Sequence, residues 1–191
     1  MPQRVLVHEI LLRNVVTWNT LITGYVQQGL GEEALDSFHQ MQREGISPDA
    51  ITFICLLKAC GNTGAIDKGK QIHYEIVRRG LLEKDTVLGT ALVDMYVKCG
   101  MIRIAQDVLK ELPIRDTVSW NALIAGYAKY GLYHEALKCF EQMQSEGLSP
   151  NGVTFICMLK ACGSIGAIEK GKQIHENILN RGLLAKDISL G

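Results

Sequence analysis

The chain lacks an excess of charge of either sign. Its 191 residues include 20 lysines and arginines and 20 aspartates and glutamates, so the formal net charge is zero. Because a nucleic-acid-binding domain usually carries a strongly basic surface, this balance counts against nucleic acid as a partner. Long apolar runs are also missing, and none approaches the ~18 residues that a membrane-spanning helix needs. We therefore expect no membrane association, and Met1-Pro2-Gln3 opens neither a signal nor a transit peptide.

Motifs for metal binding and catalysis are scarce as well. There is no C-x-x-C pair, so the six cysteines predict buried small hydrophobic side chains in a reducing compartment. His73-Tyr74-Glu75 matches the H-x-E of zinc deaminases, but the P-C-x-x-C that would complete the metal site does not occur. A glycine-rich phosphate loop and a nucleophile elbow are likewise missing. The sequence therefore predicts no enzyme, no metal and no cofactor.

What the chain does contain is a long internal repeat. Trp18-Asn19-Thr20-Leu21-Ile22 returns about 102 residues later as Trp120-Asn121-Ala122-Leu123-Ile124. Roughly 47 of the 75 residues in 15–89 are identical to their partners in 117–191. Since a repeat protein places its function on repeated positions, equivalent positions are the candidate sites.

Within the repeat, apolar residues follow helical spacing. One face of the first predicted helix carries them at i, i+3, i+4 and i+7: Trp18, Leu21, Ile22 and Tyr25. Thr17 is expected to cap this helix, and a second apolar stripe runs from about Glu32 to Glu44. Neither stripe can be buried alone, whereas stacked neighbours bury them together. The predicted fold is all-α, an α-solenoid of antiparallel helix-turn-helix repeats.

The internal match divides the chain into units of about 35, 36 and 31 residues. The predicted units are 15–49, 50–85, 86–116, 117–151 and 152–187, with part of a unit at 1–14 and the start of another at 188–191. Solenoids normally need polar terminal caps. The open ends therefore predict a piece of a longer array, or self-association end to end.

Several repeated segments closely resemble the pentatricopeptide repeat (PPR). They are Val15-Val16-Thr17-Trp18-Asn19-Thr20-Leu21-Ile22, Glu32-Glu33-Ala34-Leu35 and Gly45-Ile46-Ser47-Pro48-Asp49. Leu57-Lys58-Ala59-Cys60 resembles the long unit, and Ala91-Leu92-Val93-Asp94-Met95-Tyr96 the short unit, of the PLS subclass found in plant organelle RNA-editing factors. By this resemblance 15–49 and 117–151 are standard (P) units, 50–85 and 152–187 are long (L), and 1–14, 86–116 and 188–191 are short (S). The resemblance also implies a right-handed superhelix.

In the family that this chain resembles, each unit reads one base of single-stranded RNA through two or three side chains. The resemblance assigns base contact to the fifth residue of a unit and support to its last residue. These pairs are Asn19 with Asp49, Thr90 with Asp116, and Asn121 with Asn151. A carboxylate beside an amide favours the N3–H of uracil, and a second amide suits cytosine. The resemblance assigns guanine to the pair of threonine and aspartate.

The long units differ, because Ile54 and Ile156 stand at their fifth positions and cannot hydrogen-bond a base. These units are either silent spacers or places where a partner protein binds. The predicted target is 5'-U-N-G-C-N-3'.

Two further sets of residues are candidates by the same resemblance. The second residues of the units resemble apolar wedges that sandwich bases: Val16, Ile51, Val87, Val118 and Val153. Lys98 and Lys129, at the thirteenth position, are candidate phosphate contacts. Alternatives stay open for each set, since small apolar residues are typical of a core and lysines of a solvated surface. An aspartate that ends a unit can equally cap the next helix.

The leading interpretation is therefore the RNA-recognition part of a factor that directs C-to-U editing in a mitochondrion or chloroplast. Single-stranded RNA is the expected partner. The alternative is a protein-interaction scaffold whose long units bind an accessory editing factor or a partner helix.

Overall fold

The structure of the protein, a computed structural model, describes residues 14–180. These residues form ten α-helices and no strand, which confirms the all-α prediction for this part of the chain. The helices are α1 (Val15–Gln27), α2 (Gly31–Arg43), α3 (Ala50–Thr63), α4 (Ile66–Arg78), α5 (Thr86–Lys98), α6 (Ile102–Glu111), α7 (Thr117–Lys129), α8 (Tyr133–Ser145), α9 (Gly152–Ile165) and α10 (Ile168–Asn180). The predicted unit start at 188–191, and all of the predicted part-unit at 1–14 except Asn14, lie outside the described residues.

The first helix of each pair begins directly after an aspartate or asparagine. These N-cap residues have extended backbones, and their side chains accept hydrogen bonds from N–H groups of the first turn: Asn14, Asp49, Asp85, Asp116 and Asn151. The prediction that Thr17 caps α1 is wrong, because Asn14 Oδ1 accepts from the Thr17 N–H at 2.9 Å. Both residue types are favoured caps, and the sequence alone placed the helix start at the wrong one.

A left-handed glycine reverses the chain within each long pair. Gly64, with φ 72°, follows α3, and its N–H donates to the carbonyl oxygen of Cys60. Gly166, with φ 69°, repeats this arrangement after α9 with Cys162. Because a Cβ atom disfavours this conformation, glycine is the residue that lets the second helix begin two residues later.

The helices group into two compact units, one up to Ile114 and one from Arg115. In the first unit α3 packs against both α1 and α5, while α2, α4 and α6 each pack against the first helix of their own pair. The helices α2 and α4 also contact the first helix of the next pair. The first helices of the pairs therefore form one layer and the second helices another.

The apolar stripes predicted from the sequence meet between these two layers. Trp18 and Ile22 of α1 are buried, together with Leu35 of α2. Phe38 of α2 meets Phe53 of α3 edge to face, with ring centroids 6.3 Å apart. Burying these large side chains supplies the main driving force for stacking one pair on the next.

The second unit repeats this packing. The helix α9 contacts α7, α8 and α10, and Phe140 meets Phe155 edge to face at 6.4 Å. The indole N–H of Trp120 donates to Glu146 Oε2 at 3.1 Å, and Arg115 Nε donates to the same oxygen at 3.0 Å. In the first unit the buried indole N–H of Trp18 has no hydrogen-bond partner among the described residues. Both tryptophans are buried in the core.

The cysteines of residues 14–180 and His73, from the H-x-E match, are partly or fully buried. All six cysteines are free, and the predicted burial is correct for four of them, whereas Cys99 and Cys157 are half-buried. His73 is half-buried rather than on the surface, with Nδ1 2.9 Å from the Tyr96 hydroxyl, and burial lowers the pKa of its imidazole. Within the same described range, no group of His, Cys, Asp and Glu could hold a metal, and no helix is long and apolar enough to cross a membrane.

The contact between α5 and the end of α6 predicts that alanine substitutions at Gly89 and Gly24 differ in their effect on stability. A Cβ atom on Gly89 would lie 2.8 Å and 3.0 Å from the terminal carbons of Leu112, whereas one on Gly24 would meet nothing within 4 Å. Both alanine substitutions gain the same helix propensity, so that contribution cancels between them. We expect Gly89→Ala to be less stable than Gly24→Ala by about 1 to 3 kcal/mol in urea unfolding followed by circular dichroism. Equal stabilities would contradict the close packing of Leu112.

Candidate nucleic-acid interface

The fifth and last residues of the first standard unit are joined by hydrogen bonds. Asn19 Nδ2 donates to Asp49 Oδ1 at 2.9 Å. The hydroxyl of Thr52, in the first turn of α3, donates to Asn19 Oδ1 at 2.6 Å. Asn19 is only 7% exposed and Thr52 is fully buried, so this cluster is shielded from water except at its rim. The structure thus brings together the two residues that the sequence analysis paired.

The second standard unit repeats the cluster with one changed residue. Asn121 Nδ2 donates to Asn151 Oδ1 at 3.0 Å, and the Thr154 hydroxyl donates to Asn121 Oδ1 at 2.6 Å. An amide has replaced the carboxylate of Asp49, so its outer atom is a donor rather than an acceptor. The two clusters therefore share one geometry and differ in the hydrogen-bonding character of a single side chain.

The last residue of each standard unit performs two tasks with one oxygen. Oδ1 of Asp49 accepts from the Thr52 N–H at 2.9 Å, which caps α3, and it also accepts from Asn19. The capping alternative raised by the sequence is therefore correct for Asp49 and Asn151, and it is compatible with pairing to the fifth residue. Neither Asn19 nor Asn121 is a cap, because both lie inside their helices.

Electrostatics follow from these bonds. Burial raises the pKa of the Asp49 carboxyl, but hydrogen bonds from Thr52, Asn19 and Ile51 outweigh it and hold the pKa below its ordinary value of 3.8. Asp49 is consequently an anion at neutral pH, with acceptor oxygens only.

The two residues of the third predicted pair, Thr90 and Asp116, lie in different compact units. Thr90 is half-buried on α5 in the first unit. In the second unit Asp116 caps α7 through a capping box, in which its Oδ1 accepts from the Ser119 N–H at 2.8 Å. Asp116 therefore has the same capping role as Asp49 and Asn151.

The second residues of the units are exposed rather than buried. The exposed fractions are 68% for Val16, 58% for Ile51, 60% for Val87, 60% for Val118 and 55% for Val153. The alternative that they are ordinary core residues is therefore wrong. Five apolar side chains at one repeated position are therefore accessible to a ligand.

These residues begin a strip along each first helix that is exposed at positions two and thirteen and, in the long units, at position nine, whereas Thr23, Asp94 and Ala125 at position nine are half-buried. Positions two, nine and thirteen of a unit lie within roughly 40° of one another around the helix axis. This follows because separations of seven and eleven residues are close to two and three whole turns. We call this strip the exposed stripe. It consists of Val16, Thr23 and Gln27 on α1; Ile51, Lys58 and Asn62 on α3; Val87, Asp94 and Lys98 on α5; Val118, Ala125 and Lys129 on α7; and Val153, Lys160 and Ser164 on α9.

Both predicted phosphate-contacting lysines lie on the exposed stripe, but neither stands alone. Lys98 Nζ lies 2.8 Å from Asp94 Oδ2 one turn earlier, and Lys129 Nζ lies 5.7 Å from the centroid of the Tyr130 ring. The exposed Lys58 and Lys160 were missed by sequence reasoning. Lys58 follows Ile51 by seven residues, and Lys160 follows Val153 by seven, so each lies on the same helix face as the second residue of its unit. This spacing would have identified both lysines if the outward orientation of the second position had been known.

Charge is divided between the first and second helices of the pairs. The first helices of both compact units hold four lysines and one aspartate: Lys58, Lys98, Lys129, Lys160 and Asp94. Every other acidic residue inside a described helix is on a second helix, for example Glu32, Glu33 and Asp36 on α2. Three of the caps at the starts of these helices are carboxylates, and Lys98 is paired with Asp94, so the positive charge of the first helices is confined to single lysines such as Lys58 and Lys160.

The fifth residues of the long units lack this chemistry. Ile54 is half-buried on α3, and Ile156 is 69% exposed on α9. Neither can donate or accept a hydrogen bond through its side chain. Among the fifth residues, only those of the other units can offer a ligand a side-chain hydrogen bond.

Comparison with known proteins now decides the family. A model described as a PPR repeat family matches residues 13–62 and 115–164, and a model described as a PPR repeat matches 51–81 and 90–116. The chain belongs to the pentatricopeptide repeat family.

Its PPR relatives include proteins of Arabidopsis thaliana from both organelles. The chloroplastic pentatricopeptide repeat-containing protein CRR2 is 41% identical over 87% of this chain and 26% of its own length. A mitochondrial pentatricopeptide repeat-containing protein is 38% identical over 92% of this chain and 31% of its own length. A third relative is 42% identical over 89% of this chain and 34% of its own length. The chain thus spans about a third or less of these relatives.

Solved PPR structures share the fold. Maize PPR10 superposes with a TM-score of 0.69 at 20% identity, over 93% of this chain and 26% of PPR10. PPR10 in complex with an 18-nt psaJ RNA element gives a TM-score of 0.72 at 22% identity, over 84% of this chain and 24% of PPR10. The PPR domain of Arabidopsis PRORP1 in complex with tRNA gives 0.68 at 15% identity, over 83% and 86%. The predicted α-solenoid is therefore confirmed.

The low pKa of Asp49 predicts a pH dependence of stability. The charged carboxylate contributes fully above the unfolded-state pKa near 3.8, and this contribution is lost as the pH falls through the lower folded-state pKa. Asp49→Asn keeps a capping amide, as Asn151 shows, but removes the titration. We expect the difference in unfolding free energy between the native chain and Asp49→Asn to shrink as urea titrations move from pH 6 to below about 4.

Asp67→Asn is the control, because it removes one exposed carboxylate from the first turn of α4 in the same unit. The difference in unfolding free energy between Asp67→Asn and the native chain should change less over this pH range. A difference for Asp49→Asn that stays constant with pH would show that its hydrogen bonds do not favour the ionised form.

Proposed function

We propose that the chain recognises single-stranded RNA in a sequence-specific manner, with one base read by each unit that has a polar fifth residue. The observation that carries this proposal is the pair of matching clusters, Asn19 with Asp49 and Asn121 with Asn151, beside an exposed apolar residue at position two. Such an arrangement offers a base both a polar edge contact and an apolar surface for its face.

The proposed bases follow from donor and acceptor counts. The ionised Asp49 offers acceptors alone, which suits the N3–H of uracil, whereas the Asn151 amide adds a donor that suits the N3 of cytosine. Thr90 is shorter and leaves space for a purine, and the family resemblance assigns guanine to its pairing with Asp116. Ile54 and Ile156 give no hydrogen-bond readout, so the proposed site is 5'-U-N-G-C-N-3'.

The charge division supports an RNA partner. Lysines on the exposed stripe lie on the same helix faces as the apolar second residues, where they can meet a phosphate backbone as the bases turn inward. Maize PPR10 is solved with an RNA element and Arabidopsis PRORP1 with tRNA, which is consistent with RNA binding by this fold.

The wider role that we propose is target recognition for C-to-U editing in a mitochondrion or chloroplast, as part of a PLS-type array. The alternating unit lengths support the subclass, and the organellar relatives support the location. In this proposal the chain supplies target recognition, and the deamination chemistry belongs to another domain or protein.

The second candidate function is the alternative from the sequence, a protein-interaction scaffold. The exposure of Ile156 and Leu159 on α9 does not by itself favour it, because the equivalent Ile54 and Leu57 of α3 are half-buried and fully buried where α5 packs on α3, and the chain after α10 lies outside the described residues. Under this alternative the long units bind protein, and RNA binding would be weak and independent of sequence.

The first test is base preference in fluorescence anisotropy at low and near-physiological salt. We expect RNA containing U-N-G-C-N to bind more tightly than scrambled RNA or the corresponding DNA, because the paired amides and carboxylate select bases by roughly 1 to 3 kcal/mol each. Thr90→Asn should change the preference at the third position from guanine to a pyrimidine. Equal binding of all three nucleic acids would reject base readout, and no binding at low salt would favour the scaffold.

A second test separates phosphate contact from base readout. Lys58→Gln with Lys160→Gln should weaken binding to every RNA sequence alike and reduce the slope of log affinity against log salt by about 1.4, or ~0.7 for each lysine on a single strand. The matched control is Lys68→Gln with Lys170→Gln, which removes two repeated lysines from second helices, where they pair with Glu32 and Glu141. The same loss of slope in both double variants would contradict a role for the exposed stripe.

A further inference from the structure

One buried hydroxyl in each cluster contacts the base-reading side chain and belongs to the following unit. Thr52 is fully buried, and its Oγ1 lies 2.6 Å from Asn19 Oδ1. Thr154 is also fully buried, and its Oγ1 lies 2.6 Å from Asn121 Oδ1. These distances are the shortest in their clusters, and they recur in both copies. A hydrogen bond of this length, shielded from water, restrains the amide strongly.

The sequence of the chain couples this hydroxyl to a polar fifth residue. The third residue of a unit is a threonine or serine whenever the preceding unit has a polar residue at position five: Thr52 after Asn19, Ser119 after Thr90 and Thr154 after Asn121. It is a leucine whenever the preceding unit has isoleucine there: Leu88 after Ile54 and Leu190 after Ile156. In all three units the hydroxyl also completes a capping box, which α5 lacks, so the pattern agrees with capping as well as with positioning. The short bonds from Thr52 and Thr154 to the asparagine amides are the observations that favour positioning.

The hydroxyl also determines the orientation of the asparagine amide, that is, which partners its Oδ1 and its Nδ2 face. Thr52 Oγ1 accepts from the Asp49 N–H at 3.2 Å and has one proton to give. Asn19 Oδ1 at 2.6 Å is a closer acceptor for this proton than Asp49 Oδ1 at 3.0 Å. Giving it to Asn19 Oδ1 leaves Nδ2 to face the Asp49 carboxylate, whereas a rotated amide would place two acceptors against each other. In the second cluster Asn151 is neutral, so the Thr154 hydroxyl is the stronger of the two restraints there.

We infer that Thr52 and Thr154 are positioning residues for base recognition, each fixing the amide orientation of the asparagine in the preceding unit. This inference rests on the proposed function. An amide whose oxygen and nitrogen exchange places exchanges an acceptor for a donor at the base edge. A free amide would therefore discriminate poorly between uracil and cytosine, whose N3 atoms differ in the same way.

The experiment uses Thr52→Val and Thr154→Val, which keep the branched shape and remove the hydroxyl. Binding is measured by anisotropy to U-N-G-C-N and to RNAs in which the first or the fourth base is exchanged between U and C. We expect Thr52→Val to lose roughly 10-fold of the discrimination at the first base and less than about 2-fold at the fourth. Thr154→Val should show the opposite pattern. Each variant loses the same capping acceptor, so each controls for the other.

Thr52→Ser is the rescue variant, because it restores the hydroxyl and should restore discrimination at the first base. Circular dichroism checks that the helices persist, as the natural leucine at the start of α5 leads us to expect. If the native chain discriminates and the valine variants keep its ratios, or lose them equally at both bases, the positioning role is overturned while base readout stands. If the native chain itself shows no discrimination at either base, the proposed function fails, and this inference fails with it.

Discussion

The start of each first helix is the point on which the rest of the structure depends. An aspartate or asparagine closes the first turn of the helix, and in the two standard units its Oδ1 is also the acceptor for a side chain in the preceding helix pair. Helix nucleation is costly, so a cap that fixes the first residue also fixes the register of everything that follows. Because that same atom holds the fifth residue in place, the geometry that folds the chain also sets the spacing of its recognition groups.

Stacking of the helix pairs also places different polar residues on the layer of first helices and on the layer of second helices. The first helices bury one side against their neighbours and keep a narrow exposed stripe, whereas most carboxylates lie on the second helices. A balanced composition therefore still leaves single exposed lysines, such as Lys58 and Lys160, on the first helices. A neutral net charge argues against nucleic acid less strongly where lysines recur at equivalent positions.

The two copies of the repeat show how little sequence change is needed to alter recognition. Asp49 and Asn151 occupy equivalent positions and make equivalent contacts, yet one is an anion with acceptors alone and the other offers a donor as well. The scaffold absorbs the change because the capping oxygen is common to both side chains. Repeat proteins of this kind can alter a ligand contact without altering the packing that supports it.

Much of this could be read from the sequence. Near-identical copies, helical spacing of Trp18, Leu21 and Ile22, and glycines between stripes determine a stack of helix pairs, since local periodicity depends only on neighbours along the chain. The resemblance of the repeated motifs to known PPR units also paired Asn19 with Asp49. The exact cap of α1 was missed, because asparagine and threonine three residues apart are both favoured there.

Tertiary structure decided the rest, because burial depends on what packs from distant parts of the chain. A valine at the second position has the same helical spacing whether it faces a neighbour or solvent, and only the packing of α1 on α3 and of α3 on α5 leaves it outside. The same packing brings the hydroxyl of Thr52, from the following unit, to the amide of Asn19. The sequence by itself determined the helices, the units and the types of residue at the site. Which side chains meet, and which remain in water, was decided by contacts between segments about 30 residues apart, which no local pattern contains.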